Sequence, residues 1–511
     1  MRITIYDGAG AIGGNKILLE DEFNYFLDFG IPYSRKDLFY EEYLQPRSIT
    51  GLLDLLVMDL LPPLKGLYRK DLEVSPEIYP RVMDNPLFRE IPEIDGVLLS
   101  HAHLDHSGYI SFLREDIPIY AIAMTAYIAK AMQDTAGSSF EQEVTYTTPR
   151  EKQGKILEGS REWYSPRRFV FLDGFPEGDH SENFWRDTRS SKTWAGELYA
   201  IEEGTGNQPV SFHYVDHSIW GATAFSIKTS SGKVVYTGDL RFHGSYGFLS
   251  RKFIEEVSRE PVKVLICEGT NTNTGEEKEM VTEEEVYEQA LKIVKANSGL
   301  VIADFAPRNI ERLQSFYRIA RETGRQLVVL AKDWYLLQAV QKVARDPWHL
   351  FPLDDILIYG ETKKCLLWEL NLRESEEERI IYPEKIHREP GEFILCLSFF
   401  DIKHLIDIDP PVGGTYIYSS SEAQDEEQRI DQIRLQQWLA HFHLEAKGFE
   451  RGSRLHASGH ASAKELLEMI VKIKPEILIP VHTRNPFYFS GELKNTEIKV
   501  MIPEAGQTFI I

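Results

Sequence analysis

The chain has 511 residues, of which 42% are hydrophobic and 27% charged, and its formal net charge is −22. The length supports two or three domains with separate cores, and the composition excludes a fibrous or disordered chain. The charge excludes a protein that coats nucleic acid through a broadly basic surface, while three widely spaced cysteines, Cys267, Cys365 and Cys396, exclude a disulfide framework and a thiolate metal site and predict a reducing, cytoplasmic location.

From the N-terminus, MRITIYDGAG has no apolar signal core. The most apolar stretch, GLLDLLVMDLLPPLKGLY, is interrupted by Asp54, Asp59 and two prolines. It predicts an amphipathic core helix or a lid, and no membrane span. Residues 98–108 then read LLSHAHLDHSG, placing His101, His103, Asp105 and His106 within six positions. Neutral imidazoles and carboxylates are the ligands of zinc and related divalent ions. His101 and His103 alternate on an extended segment and can grip one ion, while Asp105 and His106 turn toward a second. Isolated surface histidines would not show this density.

Residues from about 135 to 210 are rich in charge, aromatics, Gly and Ser, with little periodicity, and predict a long insertion or lid-like excursion. Trp163, Trp185 and Trp194 within it are expected to narrow or cover a substrate groove. Four β-rich runs end in a polar residue: EIDGVLLS before His101, GKVVYTG before Asp239, PVKVLIC before Glu268, and PEILIPV before His482. Ligands of open α/β sheets bind beyond the carboxyl ends of strands, so these four predict one shared site, which His217 in VDHSIWGATAF joins. Asp239 is suited to bridging two cations about 3.5–4 Å apart. Asp216 and His243 lie near these residues in sequence and are read as supporting or surface groups.

VTEEEVYEQALKIVKA offers Thr282 and Glu285 as a capping box, and its glutamate run predicts a solvated helix start. LVIADFAPRNIERLQSFYRIARETGRQLVVL reads strand, helix, strand, with Ile310, Leu313, Tyr317 and Ala320 on one face and Gly324 at the helix end. Arg308 and Arg312 follow Asp304 and are either phosphate contacts or solvated helix residues. The acidic SSSEAQDEEQR, 419–429, predicts a loop leading into a helix. In SGHAS, small residues around His460 allow close approach. The amides of Ser458, Gly459, Ala461 and Ser462, before SAKELLEMI, could cradle a phosphate, or Ser462 is a plain helix cap. IKVMIPEAGQTFII predicts a final strand pair.

HAHLDH, with Asp28 in FLDFG and with His217 and Asp239, resembles the metallo-β-lactamase superfamily. The long α/β stretch between Asp239 and His460, followed by His482, resembles the β-CASP branch, in which a second domain is inserted before the last ligand. LHASGHASAKELLEMIVKIKPEILIPVH (455–482), FAPRNIERLQ (305–314) and GAGAIGGNK (8–16) are most similar to ribonucleases J. The implied fold is α/β: a metallo-β-lactamase αββα sandwich with an inserted β-CASP α/β domain. The implied division is 1–275 for the first domain, with its insertion at 135–210, 276–450 for the β-CASP domain, and 451–511 for the return that completes the site. HTRNP stands where the family usually has His-Gly-Glu-Tyr-Arg, and the separate C-terminal domain of many ribonucleases J is expected to be lacking.

The resemblance implies two divalent ions, zinc or manganese. His101, His103 and His217 would hold one, Asp105, His106 and His482 the other, with Asp239 bridging and Asp28 orienting a ligand from behind. Asp105, Glu268 and His460 would be the catalytic residues, His460 protonating the leaving oxygen and Glu268 orienting it. Ser458, Gly459, Ala461, Ser462 and Arg308 would bind substrate. The implied activity is hydrolysis of single-stranded RNA by a two-metal-activated hydroxide, as a 5′ exonuclease or an endonuclease. A histidine at 482 favours RNA, since several DNA-repair members carry an apolar residue there. A β-CASP deoxyribonuclease and a small-molecule phosphodiesterase stay open, the latter supported by the acidic charge. No membrane association is expected, and a homodimer is compatible with the resemblance.

Overall fold

The computed structural model describes residues 1–511 except 42, 76–77, 92, 138, 177, 188–189, 191, 195–201, 204–208, 273–279, 307, 364, 422–425 and 451. The expected domain boundaries at 275/276 and 450/451 fall at or beside segments outside the described residues, as does part of SSSEAQDEEQR.

Two mixed sheets face each other. The first has eight strands in the order Glu202–Glu203, Phe169–Phe171, Ile119–Ala121, Gly96–Leu98, Asn24–Leu27, Lys16–Glu20, Arg2–Asp7, Gln507–Ile510. The second has six: Val210–Tyr214, Thr223–Thr229, Gly232–Tyr236, Val262–Glu268, Ile477–Val481, Lys499–Val500. The two-residue period of a strand sorts the second sheet's side chains. Val234, Tyr236, Val264, Ile266, Ile479 and Val481 join the core shared with the first sheet. Val235, Leu265, Cys267 and Leu478 face the other way, onto Phe253 and Val257 of helix Gly247–Val257 and Leu466 and Met469 of helix Ala463–Ile473. This is the layering of an αββα sandwich.

A third sheet is wholly parallel, with seven strands in the order Ile380–Ile381, Ile356–Tyr359, Gln326–Val329, Phe393–Cys396, Val301–Asp304, Thr415–Tyr418, Glu445–Lys447. Its inner strands, such as Val301–Asp304 and Phe393–Cys396, are buried on both faces, which is why they read as continuous apolar runs, whereas the edge strand Glu445–Lys447 is partly exposed. The strand–helix–strand expected over 300–330 is present as Val301–Asp304, Ile310–Thr323 and Gln326–Val329, and Gly324 closes the helix at φ 71°. Phe393–Cys396 lies between its two strands. Among the described residues, no helix is long and apolar enough to cross a membrane.

Three expectations need correction. Lys499–Val500 and Gln507–Ile510 are strands but not a pair: the first extends the six-stranded sheet and the second lies against Arg2–Asp7. The apolar stretch near residue 55 forms only the short helix Leu53–Val57, and its leucines 52, 55, 56, 60, 61 and 64 join the core. Within 135–210, Trp185 packs on Tyr127, Phe169 and Phe171, and Trp194 on Tyr146. Trp185 thus spends its apolar area on the body of the domain, whereas Tyr146, the partner of Trp194, belongs to the same 135–210 stretch.

Candidate metal centre

Strands Gly232–Tyr236, Val262–Glu268 and Ile477–Val481 run parallel and in register, Tyr236 opposite Ile266 and Glu268 opposite Val481. Their carboxyl ends therefore deliver Asp239, Glu268 and His482 along one edge. The HAHLDH turn arrives from the other sheet, after Gly96–Leu98, and its aspartate and second acidic-side histidine lie on the short helix Leu104–Ser107. The loop after Val210–Tyr214 supplies His217. Side chains from positions 101 to 482 thus meet, and their potential ligand atoms lie within 4.8 Å of one another in overlapping groups. These groups are His101, His103 and His217; His101, His106 and Asp239; Asp105, His106 and His482; and Asp239, Glu268, His460 and His482.

The hydrogen bonds around the cluster fix which nitrogen of each imidazole faces inward. His106 Nδ1 donates to Asp28 Oδ2 at 2.7 Å. The Ser100 hydroxyl also donates to Asp28 Oδ2, at 2.7 Å, so its oxygen accepts from His101 Nδ1 at 3.0 Å. His217 Nδ1 donates to Gly459 O at 2.5 Å. The Thr270 hydroxyl donates to Glu268 Oε2 at 2.8 Å and accepts from His482 Nδ1 at 2.9 Å. In His101, His106, His217 and His482 the proton is therefore on Nδ1, pointing outward, and the Nε2 lone pair points into the cluster. There the nitrogens crowd: His101 Nε2 is 3.0 Å from His103 Nδ1, His217 Nε2 is 3.2 Å from the same atom, and His106 Nε2 is 3.3 Å from His482 Nε2. His103 Nδ1 can donate a proton to only one of its two neighbours at a time, and the facing Nε2 lone pairs of neutral His106 and His482 repel unless a cation lies between them. Asp239 is buried in their midst, and its Oδ1 has no hydrogen-bond partner. The other oxygen, Oδ2, faces the imidazoles, 3.1 Å from His106 Nε2, 3.7 Å from His482 Nε2, 3.8 Å from His101 Nε2 and 3.9 Å from His217 Nε2, and a buried carboxylate with imidazole nitrogens converging on it is the donor set of a divalent-cation centre.

The electrostatics agree. Burial pulls His101 and His217 well below the usual histidine range and His103 down to about 4, so these three are neutral and available as ligands. Burial also disfavours charge on Asp105, His106 and Asp239. There it is outweighed by the attraction of His106 to Asp239, Asp105 and Asp28, which holds the Asp105 and Asp239 carboxyls low and His106 high; a proton between His106 Nε2 and Asp239 Oδ2, 3.1 Å apart, stands where a divalent ion would be held. Asp28 is fully buried and accepts four hydrogen bonds, from Ser100 N–H and Oγ, His106 and Tyr236.

His460 lies beside the cluster. Its Nδ1 is 3.1 Å from both oxygens of Glu268, a carboxylate further fixed by the amides of Leu240 at 3.0 Å and Thr270 at 3.2 Å. Burial alone would lower the His460 pKa. Glu268 and then Asp239 outweigh it and push it up to about 9. His460 and Asp105 keep side-chain exposures of 21% and 25%, against 2% or less for His101, His106, His217, Asp239 and His482, so the open side of the site lies over this pair.

The remaining predicted residues divide. Arg308 is half-buried, near Asp105 and Tyr33, and lines a cavity of about 330 Å³ with Leu104, Ser107, Gln133, Asp333 and Ser398. The phosphate cradle expected at 458–462 meets a correction. The amide of His460 donates to Ser458 Oγ at 3.1 Å, that of Ala461 to Leu240 O at 2.7 Å, and that of Ser462 to Glu465 Oε2 at 2.8 Å. Ser462 caps helix Ala463–Ile473 through a capping box with Glu465, and Ala461 is fully buried. These three amides satisfy the chain itself. Gly459 has a packing role: a Cβ there would lie 2.7 Å from Ser218 Oγ and 3.1 Å from His217 Cε1.

Arg312 is neither a phosphate contact nor solvated but fully buried in ion pairs. Glu283, read as part of a solvated helix start, is buried with it, although the Thr282–Glu285 capping box is present as expected. Asp216 is buried against Arg241. Thr270, Asn271 and Arg241 were missed. Only their nearness to Glu268 and Asp239 in sequence could have singled them out.

Two family models match the chain: the Beta-lactamase superfamily domain over residues 75–153 and the Zn-dependent metallo-hydrolase RNA specificity domain over residues 453–485. Among curated relatives, Ribonuclease J of Pyrococcus abyssi is 23% identical over 398 residues, covering 76% of this chain and 74% of its own. Ribonuclease J of Sinorhizobium meliloti is 23% identical over 76% of this chain and 57% of its own. Ribonuclease J of Mycoplasma genitalium is 24% identical over 53% and 45%. The matches thus span three-quarters of the first relative and about half of the others. A crystal structure of a protein of unknown function from Enterococcus faecalis V583 has the same fold over 100% of this chain and 99% of its own, with a TM-score of 0.66 and 20% identity.

Proposed function

We propose that the protein, which matches a β-lactamase superfamily domain and the RNA specificity domain of Zn-dependent metallo-hydrolases in one chain, is a member of the metallo-β-lactamase superfamily and a metal-dependent ribonuclease of ribonuclease J type. The observation that carries this reading is the convergence of the Nε2 atoms of His101, His106, His217 and His482 on the buried Asp239 carboxylate, beside a His460 held by Glu268. The ribonuclease J relatives support RNA as the substrate class, with cleavage of single strands.

We assign His101, His103 and His217 to one ion, Asp105, His106 and His482 to a second, and Asp239 to both, with zinc or manganese as the metal. Bound there, the ions would supply an activated water and stabilise charge on the phosphoryl group. The chain's own residues do the rest. Asp28, Ser100, Gly459 and Thr270 hold the outward Nδ1 protons of the ligating imidazoles and so keep each ring in one orientation. Glu268 holds the Nδ1 proton of His460, leaving Nε2 as the other protonated position. Paired with that carboxylate, His460 favours its protonated form. It can pass the Nε2 proton to the departing ribose oxygen as the phosphorus–oxygen bond breaks. Arg308, at the cavity beside Asp105, supplies local positive charge to a substrate backbone that the net charge of −22 would otherwise repel.

The test is cleavage of a 5′-labelled, 5′-monophosphorylated single-stranded RNA with Mn²⁺ or Zn²⁺, with Asp105→Ala as control. Metal-dependent products absent in the variant are expected. Mononucleotides would identify a 5′ exonuclease and internal fragments an endonuclease. Cleavage of DNA or of a chromogenic phosphodiester with RNA left intact would refute the reading.

A further inference from the structure

Behind His460 lies a buried ionic clamp that the chemistry above does not use. Arg241 and Arg312 are fully buried, and the carboxylates they meet, Asp216, Glu283 and Glu311, are buried too. Arg312 grips Glu283 with two bonds, Nε to Oε2 at 2.8 Å and Nη2 to Oε1 at 3.1 Å. Arg241 Nη1 reaches the same Oε1 at 3.1 Å, its Nη2 donates to Glu311 Oε2 at 2.5 Å, and its Nε to Asp216 Oδ2 at 3.2 Å. One carboxylate, Glu283, therefore couples the two arginines. It stands in the first turn of helix Glu283–Ala296, while Glu311 and Arg312 open helix Ile310–Thr323. Asp216 and Arg241 flank the candidate ligands His217 and Asp239.

Of the remaining arginine donors, Arg312 Nη1 bonds first to Ser419, at 2.6 Å to its O and 2.5 Å to its Oγ, and both arginines also reach the segment that carries His460. Arg312 Nη1 donates to Leu455 O at 3.3 Å, joined there by Ser419 Oγ at 2.5 Å. Arg241 Nη1 donates to Ser458 O at 3.2 Å, joined there by His243 Nε2 at 2.9 Å. His217 takes the carbonyl of Gly459, and Asn271 takes those of His460 and Ala461. Apart from a bond of Asn271 to Ser458 Oγ at 3.2 Å, these contacts fall on backbone carbonyls of 455–461. Stability alone is a poor account of this arrangement. Desolvating five charges is costly, and apolar residues of similar volume generally stabilise a core as well or better. What charged groups supply here is a fixed geometry.

We propose that Glu283 is a positioning residue: through Arg241 and Arg312 it sets the 455–460 backbone and thereby the place of the His460 imidazole. The proposal rests on the reading of His460 as the group that protonates the leaving oxygen. In that step water adds to phosphorus, the bond to the leaving oxygen breaks, and that oxygen takes the His460 Nε2 proton. A leaving group that departs as a stable anion does not need the proton.

The test compares Glu283→Gln, Arg312→Lys and His460→Ala in the full metal-loaded chain on two substrates. One is 5′-monophosphorylated single-stranded RNA and the other is bis(p-nitrophenyl) phosphate. Glu283→Gln should lower kcat on RNA by about 10- to 100-fold, the scale of an ångström-size misplacement, with KM changed less than about threefold. It should leave the chromogenic ester within about threefold. Arg312→Lys, which keeps the charge, should fall between it and the wild type. The double variant Glu283→Gln/His460→Ala should be no slower on RNA than His460→Ala alone, since both act on one group. Amide hydrogen exchange should speed up in 455–461 and not elsewhere, which holds as a test even if one variant is poorly active. Equal losses on both substrates, multiplying losses in the double variant, or unchanged exchange in 455–461 would overturn the inference and leave the ribonuclease reading standing. A wild type that hydrolyses neither substrate would overturn both.

Discussion

Gly13 and Gly10 form a matched pair for testing how tightly the N-terminal loop holds the candidate metal centre. Both have left-handed backbones, φ 78° and 65°, so an alanine at either costs roughly 1 kcal/mol of strain. They differ in what the new methyl meets. At Gly10 nothing lies within 4 Å. At Gly13 a Cβ would lie 2.8 Å from Asp105 Oδ2 and 2.9 Å from Asp105 Cβ. Against an ordinary contact of 3.4 Å the aspartate must retreat by 3.4 − 2.8 = 0.6 Å at Oδ2 and 3.4 − 2.9 = 0.5 Å at Cβ. Rotating the carboxylate cannot relieve a clash at Cβ, so either helix Leu104–Ser107 or the loop moves. The loop is itself tied to the site, since His482 N–H donates to Gly8 O at 2.8 Å and Gly14 N–H to Asp105 O at 2.9 Å. A shift of about 0.5 Å is the tolerance of a preorganised ligand set. Competition with a chromogenic chelator should show divalent-metal affinity at least about tenfold weaker in Gly13→Ala and within about threefold of wild type in Gly10→Ala, with Gly13→Ala the less thermally stable of the two. Equal affinities in the two variants would refute the argument that Asp105 holds metal against this loop.

Other expectations follow from single contacts. Thr270→Val removes the oxygen that accepts the His482 Nδ1 proton, and metal affinity by titration calorimetry should fall by about 10- to 100-fold; an unchanged affinity would show that the hydroxyl does not orient His482. Glu268→Gln should lower kcat on RNA by about 10²-fold or more while bound metal measured by elemental analysis stays at the wild-type level, and loss of metal instead would make Glu268 a ligand. Burial pushes Asp333 up to about 7, with Lys332 pulling back and Asp401 adding to the rise. Its folded-state carboxyl keeps a proton that the unfolded chain loses near 3.8, so stability falls as pH rises from about 4 to about 7. Asp333→Asn should therefore gain on the wild type between pH 4 and pH 7, by at most about 4 kcal/mol for some three pKa steps, and a pH-independent difference in Tm would contradict this.

The ligand-type residues were legible in the sequence because their chemistry is dense and local. Imidazoles and carboxylates packed into HAHLDH have few other uses, and apolar runs ending in His, Asp or Glu mark strand ends. The α/β character of the middle region was equally open, because helical spacing and a terminal glycine are properties of adjacent residues. What the sequence concealed depends on partners far along the chain. Glu283 in a run of glutamates looks like any solvated first turn, and only Arg241 and Arg312, brought up by folding, distinguish it from Glu284. The two readings of Ser462 could not be separated until Glu465 and Leu240 were seen to occupy the nearby amides. Lys499–Val500 and Gln507–Ile510 read as a hairpin because neighbours in sequence usually pair, whereas each completes a different sheet.

The interval between the HAHLDH turn and His482 also bears on how the protein is made. Synthesis proceeds at about 5–20 residues per second and domains fold as they emerge. The parallel sheet from Val301 to Lys447 is fully translated before Ile477–Val481, the strand that brings His482. A chain still on the ribosome, or released early at any point before that strand, carries the histidine-rich turn without the residues that close it. Abandoned translation products are in this way kept from carrying a finished centre into the company of the messenger that encodes them.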